Sequence, residues 1–559
     1  MWLTLLILFI VGGIVTIKLV RRSRREYDRW YHRKVVKEGN PKLASVAFLT
    51  GIISFGLFVA FLVVARPLGH WLWFGIYRTL PFLILTVAII IAGVVAYILT
   101  RKTAVWKIVA ISWAVLLVVL SIFGVSIVKT KLCAETEERM TIIETLPLTT
   151  EIRYLPMEIA QYYAEVRIPD PEISLGELQP ILKDGELVWI AARRPDGFIR
   201  SLKYKTDGVA IIYSDGSVGM NYTSRQLGLG QQNREEVPGT FTYGEGMRVE
   251  DDIYWQLRKS KYWVEYCEVF YLFDDDTPLA VVPYIGYRMS FPVMVPYWAG
   301  VATVHPDGTI THYTPEEAQQ LDFVQGQRIY PERLARRYTV SWAYHQGISN
   351  AWFTHRDQID IPELAYSKNQ MPYLLPTDEG TKWVTVAEPH GEATHGIFKV
   401  FFIDAVTGEI ELYEIPPATQ DILVGPNRAW EYVKAAYPLY NWMEEGRTGE
   451  GPTGAIKLLE PRPIITKDTI YWMMSVTTRE HAFAPERPST MLVDARTTKV
   501  YEFSSEEEIE RFLAGEPVVP EPEPVPSEET PDLLKLLELL KELEKWLPGA
   551  IEEVEGLLK

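Results

Sequence analysis

Four long apolar segments occupy most of the N-terminal part of the chain, residues 1–132. They are residues 2–20, 44–65, 80–99 and 108–128. Each is long enough to cross a hydrocarbon layer of roughly 30 Å at about 1.5 Å per helical residue. Apart from Lys18, no Asp, Glu, Lys or Arg interrupts them between their ends. Because an ion or proton path usually needs an ionisable side chain inside the membrane, the pattern predicts a four-span anchor rather than a channel or transporter.

The connections between these segments differ in charge. The first, residues 21–42, holds nine Lys or Arg, and the third, residues 101–107, holds three, whereas the second carries only Arg66 and Arg78. The positive-inside rule places the first and third connections in the cytoplasm. We therefore predict an integral membrane protein with its N-terminus outside and its large C-terminal region, after residue 128, extracytoplasmic. The first segment has no charged leader or A-x-A site, which favours a retained anchor over a cleaved signal peptide.

Charge also separates the two parts of the chain. Residues 1–132 contain 17 basic and 3 acidic side chains, and residues 133–559 contain 39 basic and 69 acidic ones. The second part therefore has a net charge of 39 − 69 = −30. Because such a surface repels phosphate, we expect no nucleic acid among the partners.

Four predicted β-hairpins recur along the second part at a nearly constant spacing. They cover residues 208–222, 300–313, 397–413 and 489–503, so their starts are 92, 97 and 92 residues apart. Each follows a predicted helix, at 174–183, 251–260, 331–345 and 428–438, and a strand, at 187–192, 268–273, 382–388 and 470–476. A helix and a small meander can bury their apolar faces only against each other, so each repeat should be one helix across an antiparallel sheet.

The predicted fold class is thus an α-helical membrane anchor of four spans followed by an extracytoplasmic α+β array of four helix and antiparallel-meander repeats. The boundaries are 1–132 for the anchor, 133–245, 246–325, 326–420 and 421–515 for the repeats, 516–531 for a Pro/Glu linker and 532–559 for a terminal amphipathic helix. The motifs THYTPEEAQQL and FSSEEEIERFL have the spacing of a capping box, which predicts a short helix after the second and fourth hairpins.

The last two hairpins contain the motifs IDAVTGEIELY and VDARTTKVYEF. They resemble the PepSY family, small extracytoplasmic domains whose hairpin ends in a VDA-x-TGE-V pattern after an alanine-containing helix. They are also similar to the ectodomains of uncharacterised multi-pass bacterial and phage membrane proteins. Thr498 stands where the third hairpin has Gly408, and YSDGSV and VHPDGT replace the turn in the first two repeats. The PepSY resemblance implies an interaction or inhibitory module, often acting on peptidases, and supplies no catalytic residues.

The motif EPHGEATH gathers four possible metal ligands, Glu388, His390, Glu392 and His395. Imidazole and carboxylate together suit zinc or another divalent ion. The alternative is a solvated loop, since the histidines adjoin glycines and no Cys or helical HExxH accompanies them. Apart from this possible metal, no cofactor is predicted.

Two further features leave alternatives open. Cys133 and Cys267 are the two cysteines of the chain, and an oxidising exterior allows a disulfide between them without making one necessary. The aromatic stretch of residues 284–300 either packs between neighbouring repeats or forms an exposed platform for a sugar or peptide.

The C-terminal tail combines a predicted extended linker with a predicted helix that carries regularly spaced leucines. Residues 516–531 are rich in Pro and Glu, which favours an extended linker. The following leucines recur at spacings of 3, 4, 3 and 4, the heptad rhythm of a helix that binds another helix, and they are Leu533, Leu536, Leu540, Leu543 and Leu547.

These features together predict a non-catalytic interaction or assembly protein of a cell or virion envelope. Its partners would be the lipid bilayer, other envelope proteins and further copies of itself in a homo-oligomer. The alternatives are a PepSY-like regulator or inhibitor of an extracytoplasmic peptidase and a metal-dependent envelope enzyme.

Overall fold

The computed structural model describes residues 67, 69–102, 104–167, 172–213, 218–222, 240–274, 277–364, 367–391, 396–415, 423–443, 453–467, 469–478 and 490–516. Contacts divide the chain into two compact units. The larger unit comprises residues 1–362 and 370–417, and the smaller unit comprises residues 363–369 and 418–559. The first three predicted hairpins belong to the larger unit and the fourth to the smaller one. The four repeats and their boundaries stay a prediction, and the first to fourth repeat below denote the predicted ranges 133–245, which includes a lead-in, 246–325, 326–420 and 421–515.

Three helices open the described part of the chain. They are α1 (His70–Arg78), α2 (Leu80–Thr100) and α3 (Ala104–Arg139). Among the described residues, α2 is the one unbroken helix long and apolar enough to cross a membrane, and α3 passes as a pair bent by 48° between Leu120 and Ile122. The predicted spans 80–99 and 108–128 fall on α2 and α3, and the spans 2–20 and 44–65 lie outside the described residues. That these helices sit in a bilayer stays a prediction.

Helices α2 and α3 pack antiparallel. A Cβ placed on Gly93 would lie 2.4 Å from Cγ2 of Val109, so only glycine lets the two backbones approach this closely. One turn further along, the rings of Tyr97 and Trp106 lie 6.2 Å apart. Most other side chains of α2 are apolar and exposed, as a lipid-facing helix requires.

The first repeat consists of a helix and a sheet in the order β2-β4-β5-β6, with β3 also paired to β4. The elements are β1 (Met140–Ile143), α4 (Met157–Arg167), β2 (Ile173–Leu175), β3 (Gln179–Lys183), β4 (Glu186–Pro195), α5 (Phe198–Ser201), β5 (Gly208–Ile212) and β6 (Val218–Tyr222). The hairpin at 208–222 is present, but the helix predicted at 174–183 is wrong. That segment forms β2 and β3 because Gly176 and Pro180 disfavour a helix, and β3 is an edge strand that tolerates the missing N–H of Pro180.

The second repeat contains a long two-stranded arm. Its elements are α6 (Ile253–Ser260), β7 (Glu265–Tyr266), β8 (Phe270–Asp274), β9 (Thr277–Ser290), β10 (Val293–Val304), β11 (Ile310–Tyr313) and α7 (Pro315–Ala318). Asp252 caps α6, as its carboxylate accepts from the Trp255 N–H at 2.9 Å. The predicted hairpin is β10 and β11, and the capping box before α7 is formed by Thr314 and Glu317. Residues 284–300 form most of the arm made by β9 and β10.

The sheet of the third repeat includes the strand that follows α3. Its elements are α8 (Glu332–Ser341), β12 (Ile359–Asp360), β13 (Tyr373–Thr377), β14 (Gly380–Pro389), β15 (Lys399–Asp404) and β16 (Ile410–Glu414). The hairpin at 397–413 is β15 and β16. Strand β1, which follows α3 without a gap, runs parallel to β16 with Met140 opposite Ile410 and Ile143 opposite Tyr413. The outer side of β16 is therefore paired within the chain, and β1 becomes the end strand of the sheet.

The smaller unit contains the fourth repeat, with the sheet order β17-β18-β19-β20. Its elements are α9 (Pro426–Ala436), β17 (Ile456–Ile465), β18 (Ile470–Thr478), β19 (Thr490–Asp494), β20 (Val500–Phe503) and α10 (Glu506–Leu513). Ser505 caps α10 by accepting from the Glu508 N–H. The linker 516–531, except Glu516, and the helix 532–559 with its five leucines lie outside the described residues.

A buried tryptophan makes the same contact in three of the repeats. Each indole N–H donates to the backbone carbonyl two residues before the first residue of the repeat's helix. The pairs are Trp189 to Leu155 at 2.9 Å, Trp383 to Tyr330 at 3.1 Å and Trp472 to Val424 at 2.8 Å. This recurrence supports the repeat prediction and identifies α4 as the helix of the first repeat.

Candidate functional site

The predicted metal motif is only partly covered by the structure. Glu388 is buried in β14 opposite Asp360, and His390 follows the same strand. The His390 Nδ1 lies 2.9 Å from an Asp360 oxygen, and its ring stacks on that of His355 with centroids 4.6 Å apart. Glu392 and His395 lie outside the described residues. Sequence reasoning missed Asp360 and His355 because they precede the motif by about 30 residues.

A different cluster brings three metal-ligand types together within the described part of the chain. Cys133 and Glu137 lie one turn apart on α3, and His345 follows the third repeat's helix. Their sulfur, oxygen and nitrogen atoms all lie within 4.8 Å of one another. The His345 Nδ1 is 2.6 Å from Glu137 Oε1, and the Cys133 thiol donates to the same oxygen at 3.6 Å.

The third repeat fixes the position of His345. Its ring lies flat on Trp342, with centroids 4.8 Å apart and planes 3° from parallel. Trp342 is buried and packs edge-on against Phe401 of β15. The sheet therefore holds His345 against α3, although His345 and Glu137 are 208 residues apart in sequence. That separation is why the sequence motifs gave no sign of this cluster.

The environment of Cys133 determines its chemistry. Burial, followed by the neighbouring charge of Glu137, raises the pKa of its thiol well above the ordinary value. A neutral buried thiol is a poor nucleophile, so the cluster does not suit covalent catalysis. A thiol, an imidazole and a carboxylate are nevertheless ligands that zinc accepts, with a fourth position left for water. Binding would release the thiol proton.

Other residues in the last turns of α3 hold this helix to the second and third repeats by polar contacts. Glu135 pairs with Arg288 at 2.6 Å and accepts from the Tyr338 hydroxyl at 3.0 Å. The Lys131 ammonium donates to Ser290 at 2.7 Å. The Arg139 guanidinium donates to the Gly408 carbonyl at 3.3 Å. Together with β1, these contacts fasten the end of α3 to the second and third repeats.

A partly buried ion pair reinforces this region between the second and third repeats. Arg337 donates to both Glu265 oxygens, at 2.8 and 3.2 Å, and the Tyr287 hydroxyl donates to the same carboxylate. Burial alone would raise the pKa of Glu265, but Arg337 and Tyr287 outweigh it and lower the pKa to about 2. The carboxylate is therefore ionised at neutral pH and acts as a structural link.

The possible disulfide is not formed. Cys133 and Cys267 are both buried and free. Burial raises the pKa of each thiol, which makes both slow to oxidise.

The smaller unit has a cleft between α9 and its sheet, lined mostly by apolar residues that include Trp430, Leu458 and Met474. The volume that a water-sized sphere can occupy in it is about 0 Å³. Pockets for small molecules usually measure about 300–1,000 Å³, so this cleft is too small for a typical substrate.

Comparisons with known proteins give no family. No protein-family model matches the chain, and no curated protein matches it. Among solved structures, 60% of the chain is similar to 71% of a glycosyl hydrolase from Bacteroides ovatus, with 12% sequence identity and a TM-score of 0.18. A superposition this poor supports no argument about fold or activity.

Proposed function

We propose that the protein is a membrane-anchored extracytoplasmic interaction or assembly protein of a cell or virion envelope, and that it is not an enzyme. One observation carries the proposal, the different use of equivalent sheet edges. In the third repeat, β16 accepts β1 as an additional strand. In the fourth repeat, no described strand pairs with the outer edge of β20. An edge of this kind is a template for strand addition by a partner.

The face of the fourth sheet is covered while that edge is open. Phe512 of α10 packs on the rings of Tyr471, Tyr501 and Phe503, which belong to β18 and β20. Because these rings span several strands, α10 lies on a face of the sheet. A partner strand would thus add to β20 without displacing the helix.

The anchoring half of the proposal is supported by the junction at α3. This helix runs from an apolar segment into β1, and its last turns bind the second and third repeats. Helix α1 packs on the second repeat as well, since the Tyr77 hydroxyl donates to the Tyr287 carbonyl at 3.0 Å. The connection before α2 and the repeats would then lie on one side of the bilayer, as the charge distribution predicts.

The first test measures the mass of the native particle extracted in mild detergent, with and without residues 516–559. We expect a homo-oligomer or a complex with other envelope proteins that loses mass on truncation, because the five tail leucines would form a helix seam. A monomer in both forms would contradict the assembly role. A PepSY-like regulator would instead copurify with one peptidase and inhibit it on titration.

A second test addresses the β20 edge through Tyr501→Pro and Glu502→Pro. Successive residues of a strand point their N–H groups to opposite edges, so only one of the two prolines removes a donor from the open edge. We expect that variant to fold and to lose partner capture, whereas the other weakens pairing with β19. If the variant that removes an N–H group from the open edge folds and still captures its partner, strand addition at β20 is excluded.

A metal-dependent function is the second candidate, and the cluster of Cys133, Glu137 and His345 favours it. Zinc binding to protein purified without a histidine tag is the test, with His345→Ala and Cys133→Ser as variants. His305→Ala is the matched control because it removes an imidazole that belongs to neither this cluster nor the motif around His390. Loss of more than about 10-fold in affinity in the first two variants alone would support a metal site. Equal binding in all variants would remove this candidate.

A further inference from the structure

Two groups of exposed apolar side chains in the larger unit lie beside α3. Phe353 is 75% exposed in the π-helical turn Asn350–Thr354, next to Trp352. Met289 and Phe291 are 55% and 57% exposed at the tip of the arm made by β9 and β10. Large apolar groups exposed together usually mark a surface that contacts something else.

Both groups are tied to α3 by direct contacts. The Trp352 ring stacks on Phe123 of α3 with centroids 5.1 Å apart and planes 21° from parallel. Ser290, between Met289 and Phe291, accepts from Lys131 of the same helix at 2.7 Å. The arm also contacts α2 through β10. These contacts fix the positions of the apolar side chains relative to the ends of α2 and α3 that face the repeats.

The pairing of α2 with α3 shows where that end lies. Gly93 faces Val109, and in an antiparallel pair equal steps back along α2 and forward along α3 bring Leu80 level with Ile122. Helix α2 begins at Leu80 and its 21 residues extend about 31 Å, the thickness of a bilayer's hydrocarbon layer. With α2 as a membrane span, the boundary of that layer on the side of the repeats falls at Leu80, level with Ile122 at the bend of α3. Phe123, whose ring stacks on Trp352, is the next residue along α3.

We propose that Trp352, Phe353, Met289 and Phe291 form a membrane-contact surface that inserts into the headgroup and acyl boundary of the outer leaflet. This inference rests on the membrane anchoring in the proposed function. Trp and Phe concentrate at this depth because their rings suit the boundary between acyl chains and water. The surface would hold the repeats against the bilayer and fix their orientation relative to the spans.

The first repeat offers a matched control. Phe198 of α5 is 76% exposed, almost the same as Phe353. It follows the end of β4, and Leu187 near the start of that strand belongs to the same apolar cluster as Leu132 of α3. The eight steps along the strand from Leu187 to Pro195 extend about 26 Å, so Phe198 lies far from this cluster. Exposure alone would make Phe198 and Phe353 behave alike, whereas membrane contact would separate them.

The experiment places single spin labels at Phe353→Cys, Phe291→Cys, Phe198→Cys and Ile91→Cys of the full chain in phosphatidylcholine and phosphatidylglycerol nanodiscs. Collisions with oxygen, which concentrates in lipid, are compared with collisions with a water-soluble nickel chelate. Cys133 and Cys267 are buried, and the unsubstituted protein provides the labelling blank. We expect a several-fold higher oxygen-to-nickel ratio at positions 353, 291 and 91 than at position 198.

The outcomes separate the two proposals. If position 91 reports lipid while positions 353 and 291 match position 198, the anchor stands and the membrane-contact surface is wrong. If position 91 also reports water, the membrane anchoring itself fails. Low accessibility to both reagents at positions 353 and 291 would mean that protein covers the surface, which also overturns the inference.

Discussion

The turns of the third and fourth hairpins have the same frame but differ at one residue. In each, an aspartate at the end of the first strand accepts from two backbone N–H groups, Asp404 from Val406 and Thr407, and Asp494 from Arg496 and Thr497. The chain then takes a positive φ, +75° at Gly408 and +61° at Thr498.

The neighbouring helix explains why the fourth turn tolerates a side chain. A Cβ on Gly408 would lie 2.2 Å from the ring of Tyr330, which precedes α8 by two residues. The equivalent position before α9 is Val424, whose side chain is much smaller. Both residues hold the same place, because the backbone N–H of each donates to an alanine carbonyl, Ala405 or Ala495, at 2.8 Å. In each of these two repeats, the size of the turn residue therefore matches the residue before the helix: glycine faces tyrosine in the third, and threonine occurs with valine in the fourth.

The largest expected effect comes from transferring the fourth turn into the third with Gly408→Thr. The new side chain would clash with the buried ring of Tyr330 and adopt an unfavourable φ, at a cost on the order of 3 kcal/mol. Amide hydrogen exchange of residues 399–414 should accelerate, with residues 490–503 as the internal control. Adding Tyr330→Val should restore part of the protection. If Gly408→Thr leaves exchange unchanged, the pairing of turn and helix start is wrong.

The two turns also show how far sequence reasoning reached. Alternating apolar residues and a turn rich in Asp and Gly are local signals, and they located both hairpins. The covering of β16 by β1 was missed because Met140 and Ile410 are distant in sequence and the strands are parallel. The helix of the first repeat was misplaced to 174–183. The contact that marks the true helix, α4, is the bond from the Trp189 indole to the Leu155 carbonyl, and it joins residues that are distant in sequence. Likewise, the cluster of Cys133 and His345 exists only through packing of α3 on the third repeat.

An intermediate effect is expected from Asp494→Asn in the fourth turn. Burial alone would raise the pKa of Asp494, but the N–H groups of Arg496 and Thr497 and the hydroxyls of Thr497 and Thr469 outweigh it and lower the pKa. A lowered folded-state pKa contributes stability above the unfolded value of about 4 and loses it as pH falls through the folded value.

The Asp494→Asn variant should therefore be less stable by about 1–2 kcal/mol at pH 7. The difference from the unchanged protein should begin to shrink near pH 4, where Asp494 of the unfolded chain takes up a proton, and should be lost as the pH falls through the lower pKa of the folded state. Denaturant unfolding followed by exchange of residues 490–503 measures both. A difference that stays constant down to pH 2 would show that the ionised carboxylate is not what stabilises the turn.

The smallest effect is expected from the reverse transfer, Thr498→Gly. Glycine adopts the positive φ of this position without the penalty of a Cβ, but it also gains freedom in the unfolded chain. Glycine also loses the exposed bond from the Thr498 hydroxyl to the Thr497 carbonyl. Relief of the strained φ should dominate because Thr is β-branched, giving a gain of about 0.5–1 kcal/mol. Unfolding of the smaller unit measures the gain, and Thr497→Gly, one residue earlier, is the control that should destabilise by removing the hydroxyl bond to Asp494. A loss of stability in Thr498→Gly would mean that the bond from the Thr498 hydroxyl to the Thr497 carbonyl outweighs the strained φ. The fourth repeat would then have a turn of its own rather than a strained copy of the third.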